Sequence, residues 1–290
     1  MRLGDLDQYR IAGAADFAET AQGLVKAVAA RGGMRGELFL QGAQVTAWQP
    51  SGARPVIFTS PRAVFAPGKA IRGGIPVIFP WFGAHPSDPQ APQHGLARTA
   101  PWRLAGSNLA EEQVALDLAL AIDGFDLAYR VVFGSDLHLS LTVRNKADRP
   151  MPFEAALHSY FAVSAIERVR VSGLEGCGAI DKTAAMARRP PLVAPLTFAQ
   201  ETDSVYLDVP DHLAIEDAGW GRRIAIDKTG AASVIVWNPW SEKAAAMADL
   251  GADNWRGFVC VETGNVADNR IVLAPGGEHA MTTRITVDGG

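Results

Sequence analysis

Between Leu137 and Arg144 the side chains alternate without a break. Leu137, Leu139, Leu141 and Val143 fall on one side, and His138, Ser140, Thr142 and Arg144 fall on the other. A period of two belongs to a strand with one buried and one wet face, and it does not fit a helix of period 3.6. Two apolar segments precede it, Val114 to Ile122 and Leu127 to Phe133, with Asp123-Gly124 and Gly134-Ser135 at the joints. Strands joined by short glycine-bearing turns pair antiparallel as a meander.

Further strand candidates are Pro55 to Phe58, Val169 to Ser172, Val205 to Val209, His212 to Ile215, Arg223 to Asp227, Ser233 to Trp237, Phe258 to Glu262 and Thr282 to Val287. From Glu37, ELFLQGAQVTAW reads as two short strands or one bulged strand. Asp16 to Ala30 is open between a helix and a short strand at Leu24 to Ala29, because periodicity does not choose between them. Ser241 to Leu250, rich in alanine, is a candidate for a short helical region. More than ten short strands, without a fixed-period repeat or a low-complexity linker, predict an all-β fold: a large antiparallel β-sandwich, one domain over residues 1–290.

A chain of 290 residues, 48% of them hydrophobic, can bury a core of that size. The formal charge is −4 with 20% charged residues, so a nucleic-acid surface or a polybasic membrane patch is not expected. An anion would have to be held by a local cluster of cations rather than a general basic field. The N-terminal MRLGDLDQYR lacks an apolar signal core, and no run of about 18 apolar residues occurs, which predicts a soluble, cytoplasmic protein. Cys177 and Cys260 lack CxxC spacing and read as buried thiols.

Ile71 to Arg98, IRGGIPVIFPWFGAHPSDPQAPQHGLAR, carries Arg72 and Arg98 in glycine- and proline-rich turns. Planar guanidinium groups on stiff loops suit bidentate capture of phosphate or carboxylate. On composition alone the same arginines read equally well as surface charges at turns. Of the six histidines, His138 reads as a solvated strand residue, His212 and His279 as surface residues near turns, and His85 as part of a loop. His94 and His158 have glycine or aromatic neighbours that suggest a shaped pocket. Glu262 follows the apolar run FVCV and is expected at a strand end facing a cleft, paired or hydrogen-bonded. No HxH or HExxH pair occurs, so no catalytic metal is expected.

RGGIP (from Arg72), HGLAR (from His94), LHSYF (from Leu157) and VETGN (from Val261) stand in this order, and WNPW (from Trp237) runs into EKAAAMADL. This series resembles the glucose-6-phosphate 1-epimerase family, the hexose-6-phosphate mutarotases related to aldose 1-epimerases, over about Gln41 to Thr286. One departure is Thr263, where a small residue such as Ala or Pro is expected.

The resemblance implies a sandwich of the galactose-mutarotase type and interconversion of the α and β anomers of a hexose 6-phosphate. It implies Glu262 as base, His158 as acid and His94 as a partner of the ring oxygen. Arg72 and Arg98 would bind the phosphate, with Lys69 a possible third charge, and Gln93, Asp203 and Trp237 would bind the sugar. Trp81, Phe82 and Trp237 read equally as sugar-stacking rings or core aromatics. No cofactor is implied, and the expected partner is a small sugar phosphate. The rival readings are an epimerase of free aldoses and a non-catalytic carbohydrate-binding protein.

Overall fold

The computed structural model describes residues 3–289. The meander is present: Arg103–Ala110, Gln113–Ile122, Phe125–Phe133 and Leu137–Asn145 lie side by side. Asp123 and Gly124 both have positive φ, 51° and 80°, the twist that lets a two-residue turn close on the Ile122–Phe125 pair. The sheet continues from Leu137–Asn145 through Glu278–Gly289, Arg222–Thr229, His212–Asp217 and Val169–Ser172 to Leu196–Thr197, nine strands in all among the described residues.

A second, eight-stranded sheet runs Ala187–Arg189, Ala179–Asp181, Thr202–Tyr206, Ser233–Asn238, Phe258–Asn265, Ala155–Leu157, Val77–Ile78, and Tyr160–Ala162 also pairs with Phe258–Asn265. Every ladder between these strands is antiparallel. The two sheets face each other. Thr263 Oγ1 lies 2.5 Å from Thr283 Oγ1 across the gap, and Asn265 Nδ2 lies 3.2 Å from His279 Nε2. The all-β sandwich expected from the alternation is the observed architecture. It also explains Thr263: this side chain faces the opposite sheet, where a hydroxyl has a partner.

Asp16 to Ala30 resolves to strand. Ala15–Glu19 and Val25–Arg31 form a hairpin, extended by Met34–Phe39 and Gln44–Gln49 into a four-stranded sheet with a bulge at Glu37/Leu38. This sheet packs closely on the meander: a Cβ on Gly36 would come within 2.4 Å of the Phe133 ring. One apolar cluster runs from Leu6 to Ile285 and includes Trp48, Phe125, Phe133, Leu139 and Phe161. Each such side chain contributes about 1.5–3 kcal/mol when fully buried.

Several boundaries differ from expectation. Pro55 to Phe58 makes only an isolated bridge, Ile57 to Phe161. Its amides serve two neighbours, Val56 N–H donating to Trp48 O and Phe58 N–H to Tyr160 O, so it links sheets instead of extending one. Val205 to Val209 shifts to Thr202–Tyr206, and Asp208 turns the chain at φ 52°. The helical region is Trp240–Ala245. Phe258 to Glu262 runs on to Asn265, so Glu262 sits inside its strand, not at the end.

Candidate active site

All eight residues of Phe258–Asn265 are buried, so both faces of this strand are covered. Register decides which residues share the outer face. Asp203 pairs with Trp237, Trp237 with Cys260, and Ile235 with Glu262. Because side chains alternate, Asp203, Trp237, Cys260 and Glu262 project together, while Val236, Val261 and Thr263 point into the sandwich. Tyr160 pairs with Cys260 and joins the outer face. His158 comes from the break between Ala155–Leu157 and Tyr160–Ala162, where its amide donates to Pro76 O.

His158 Nδ1 lies 3.2 Å from Glu262 Oε1. The contact lacks hydrogen-bond geometry, and both His158 Nδ1 and Glu262 Oε2 are buried without a partner among the described residues. Buried polar atoms are rarely left so, and a reacting group is one reason for it. Burial pushes the Glu262 carboxyl well up; Lys182 pulls it back and Asp203 adds to the rise. Burial also pushes the His158 imidazole well down, and His94, Arg98, Arg72 and Lys182 add to that. Both shifts favour the uncharged form of each group. The shifts run in opposite directions, Glu262 up and His158 down.

Tyr160 stacks face to face on His158, centroids 4.8 Å apart and planes 10° apart. Trp237 meets His158 edge-on at 6.1 Å and is only 8% exposed. His94 meets the same imidazole edge-on at 5.7 Å. Burial, then Arg98, Lys182 and Arg72, lower the His94 pKa to about 3. Gly83 N–H donates to His94 Nδ1 at 3.3 Å, so the neutral ring carries its proton on Nε2. His94 is therefore a hydrogen-bond donor, not a charged acid.

His94 itself has φ 64°, an uncommon conformation for a residue with a side chain. What holds it is Phe79 O, which accepts from Leu96 and Ala97 N–H and leaves no room at Gly95: a Cβ there would sit 2.1 Å from that oxygen, at φ 71°. Gly95→Ala is expected to cost about 1–3 kcal/mol in backbone strain alone and to lower activity by displacing His94. A urea midpoint equal to the parent's would show that the loop does not depend on this approach.

Arg72 rises from a backbone pinned on both sides. Ser60 N–H donates to Arg72 O, and Gln44 Nε2 donates to Ile71 O (3.1 Å) and Gly73 O (2.6 Å). Its guanidinium donates to Asp249 Oδ2 at 3.1 Å and to Tyr160 OH at 3.2 Å. Burial opposes its charge, but Tyr160 and Asp249 outweigh that. Arg98 donates to Gln93 O at 2.6 Å; burial lowers its pKa, Tyr160 opposes that, and Arg72 adds to the lowering. Both remain charged, as guanidinium groups do. Arg72 and Arg98 thus form a local positive cluster beside the two imidazoles in an acidic protein.

The expected residues are thus sorted. His158, Glu262, His94, Arg72, Arg98 and Trp237 come together. Asp203 joins them, 3.1 Å from Lys182 Nζ. Gln93 is exposed and contributes its carbonyl to Arg98. Phe82 packs edge-on against His94 at 4.9 Å, beneath Lys182. Trp81 is turned away: its Nε1 donates to Pro92 O, and its ring lines a separate cavity of about 820 Å³ with Pro152, Glu154 and Arg270. Lys69 is exposed, and the third cation that acts on the imidazoles is Lys182. His85 accepts from the Ser87 and Asp88 amides, His138 contacts Asp136, His212 contacts Asp227, and His279 lies between the sheets.

Sequence reasoning missed Tyr160, Lys182 and Asp249. Tyr160 lies inside LHSYF and was available as an aromatic next to a candidate imidazole. Cys260-x-Glu262 is an i,i+2 pair on a strand, the same spacing as the HxH that was sought. Both cysteines are free and buried, as expected.

A family model described as aldose 1-epimerase matches residues 27–286. A protein of Cenchrus ciliaris named "Putative glucose-6-phosphate 1-epimerase" is 36% identical over 284 residues, 91% of this chain and 85% of that one. One of the same name from Escherichia coli (strain K12) is 34% identical over 257 residues, 85% of each. The crystal structure of a protein described as a putative mutarotase, YeaD, from Salmonella typhimurium superposes with a TM-score of 0.90 at 29% identity, covering 97% of this chain and 96% of that one.

Proposed function

The chain belongs to the aldose 1-epimerase family, and we propose that within it this protein interconverts the α and β anomers of a hexose 6-phosphate by opening and reclosing the ring. The observation that carries the chemistry is the buried pair, Glu262 and His158, 3.2 Å apart with an unpartnered atom on each. The observation that carries the substrate class is the pair of arginines beside it.

Burial raises Glu262 and lowers His158, so before substrate binds the one proton of the pair favours Glu262. Its transfer to His158 Nδ1 gives a carboxylate and an imidazolium with no net uptake from solvent. Arg72 and Arg98 oppose that imidazolium. A bound phosphate, nearly dianionic at neutral pH, cancels their charge and so favours the charge-separated form. Glu262 then takes the proton of the C1 hydroxyl while His158 gives one to the ring oxygen as the C1–O5 bond breaks. His94 Nε2–H donates to the same oxygen. Rotation about C1–C2 and the reverse transfers give the other anomer. Asp203 and Lys182 hold sugar hydroxyls, and Trp237 walls the cleft.

Two-dimensional exchange NMR on glucose 6-phosphate and on glucose tests the reading. Faster exchange of the phosphorylated sugar is expected; exchange at the buffer rate for both would refute catalysis, and equal rates would favour a free-aldose epimerase. No step moves electrons or joins the sugar to the protein, so these roles need no cofactor. Extended chelation should leave anomer exchange unchanged; a loss restored by one metal ion would overturn the assignment of roles. No helix among the described residues is long and apolar enough to cross a membrane. A charged sugar phosphate does not cross a bilayer unaided, so we place the reaction in the cytoplasm.

A further inference from the structure

We propose that His158, Cys260 and Glu262 form a three-ligand site for a borderline divalent cation, Zn²⁺ above all, and that filling it switches the enzyme off. The donor atoms of these three side chains all lie within 4.8 Å of one another, and all three residues are buried. Cys260 and Glu262 stand two residues apart on one strand and share its outer face, while His158 faces them from the neighbouring chain break. His158 Nδ1 and Glu262 Oε2 are buried with no hydrogen-bond partner among the described residues, and Nδ1 lies 3.2 Å from the other carboxyl oxygen, Oε1.

Zinc–ligand bonds of about 2.0–2.3 Å place tetrahedral donors roughly 3.5 Å apart, within reach of small side-chain rotations. Thiolate, imidazole and carboxylate suit zinc and its neighbours; magnesium and calcium prefer oxygen. Three protein ligands leave a fourth position for water. On binding, the Cys260 thiol and the Glu262 carboxyl each release a proton to solvent, and the two anions neutralise the cation. The filled site carries no uncompensated buried charge. It also occupies the carboxylate oxygen and imidazole nitrogen that the proton transfers require, so turnover stops. Cys260 takes no part in those transfers, which separates the two roles.

The test titrates Zn²⁺ into the protein during glucose 6-phosphate exchange and, separately, records Co²⁺ spectra without substrate. Zinc is expected to abolish exchange, EDTA to restore it, and Mg²⁺ and Ca²⁺ to do nothing. Co²⁺ is expected to give four-coordinate d–d bands and a thiolate charge-transfer band. Cys260→Ala should keep its metal-free exchange rate, lose the thiolate band and need at least roughly tenfold more zinc, the scale on which even outer partners of a metal site act. Cys260→Ser serves if the alanine variant does not fold, and Cys177→Ala should behave like the parent. Zinc inhibition unchanged in the Cys260 variants, or no thiolate band in the parent, would overturn the site. The inhibition arm rests on the epimerase reading and the cobalt arm does not, so a protein without anomer exchange but with the thiolate band would fail the former alone.

Discussion

Glu262→Gln and His158→Asn each slow anomer exchange by on the order of 10²–10⁴, the range for one positioned acid or base. The double variant costs less than the sum of the two, because both groups act on one coupled proton movement. Glucose 6-phosphate binding survives in each, since Arg72 and Arg98 are untouched. If either single variant keeps near-parent exchange at saturating substrate, that residue is not catalytic.

The pH dependence separates this site from an exposed Glu/His pair. The active pair carries one proton. As pH falls, a second proton must be added to the imidazole side, which burial and three cations hold well below 6.5. As pH rises, the single proton must leave the carboxyl, which burial holds well above 4.5. The acid limb of kcat therefore belongs to His158 and the alkaline limb to Glu262, with apparent values that are those of the pair. In an exposed pair the assignment is the opposite: Glu protonates on the acid side and His deprotonates on the alkaline side. The residual rate of His158→Asn should lose its acid limb and that of Glu262→Gln its alkaline limb. Loss of the other limb in each would show that the site is wet and its pKa values ordinary.

The fold was legible where one face of a strand is wet. Leu137 to Val143 announced itself because His138, Ser140, Thr142 and Arg144 mark every second position. Ser233–Asn238 and Phe258–Asn265 are buried on both faces, so their polarity does not alternate, and the end of the latter was misplaced at its first charged residue. The site was legible in its motifs but not in its electrostatics. Arg72, His94, His158 and Glu262 stand in recognisable strings. Lys182 does not, and Asp249, although inside EKAAAMADL, gave no sign of its role, because both reach the pocket through pairings distant in the chain, to Asp203 and to Arg72. The downward shift of His158 was hidden for the same reason. It follows from burial and from four cationic or imidazole neighbours, Arg72, His94 and Arg98 of HGLAR, and Lys182, none of them adjacent to His158 in sequence.

Arg98→Ala lowers kcat/KM for glucose 6-phosphate about tenfold to hundredfold and leaves free glucose nearly unaffected. The estimate is the loss of a charge-assisted hydrogen bond, about 1.5–3 kcal/mol. Arg72→Ala does the same to the phosphorylated substrate, but it also strips Asp249 and Tyr160 OH of their partner, so a lower Tm is expected with it. Among the described residues the Arg98 side chain bonds only the Gln93 carbonyl, which makes it the cleaner probe. A second readout follows from the same geometry. Arg98 is one of the cations that depress His158, so its removal raises the pKa of that imidazole and moves the acid limb of the glucose reaction to higher pH. A purely structural arginine would lower both substrates alike and leave the limb in place. An arginine that holds the phosphate but stands too far from the imidazole would change the substrate ratio without moving the limb. Only a charge that serves both the phosphate and the acid–base pair changes the two together, and that joint change is the expected result.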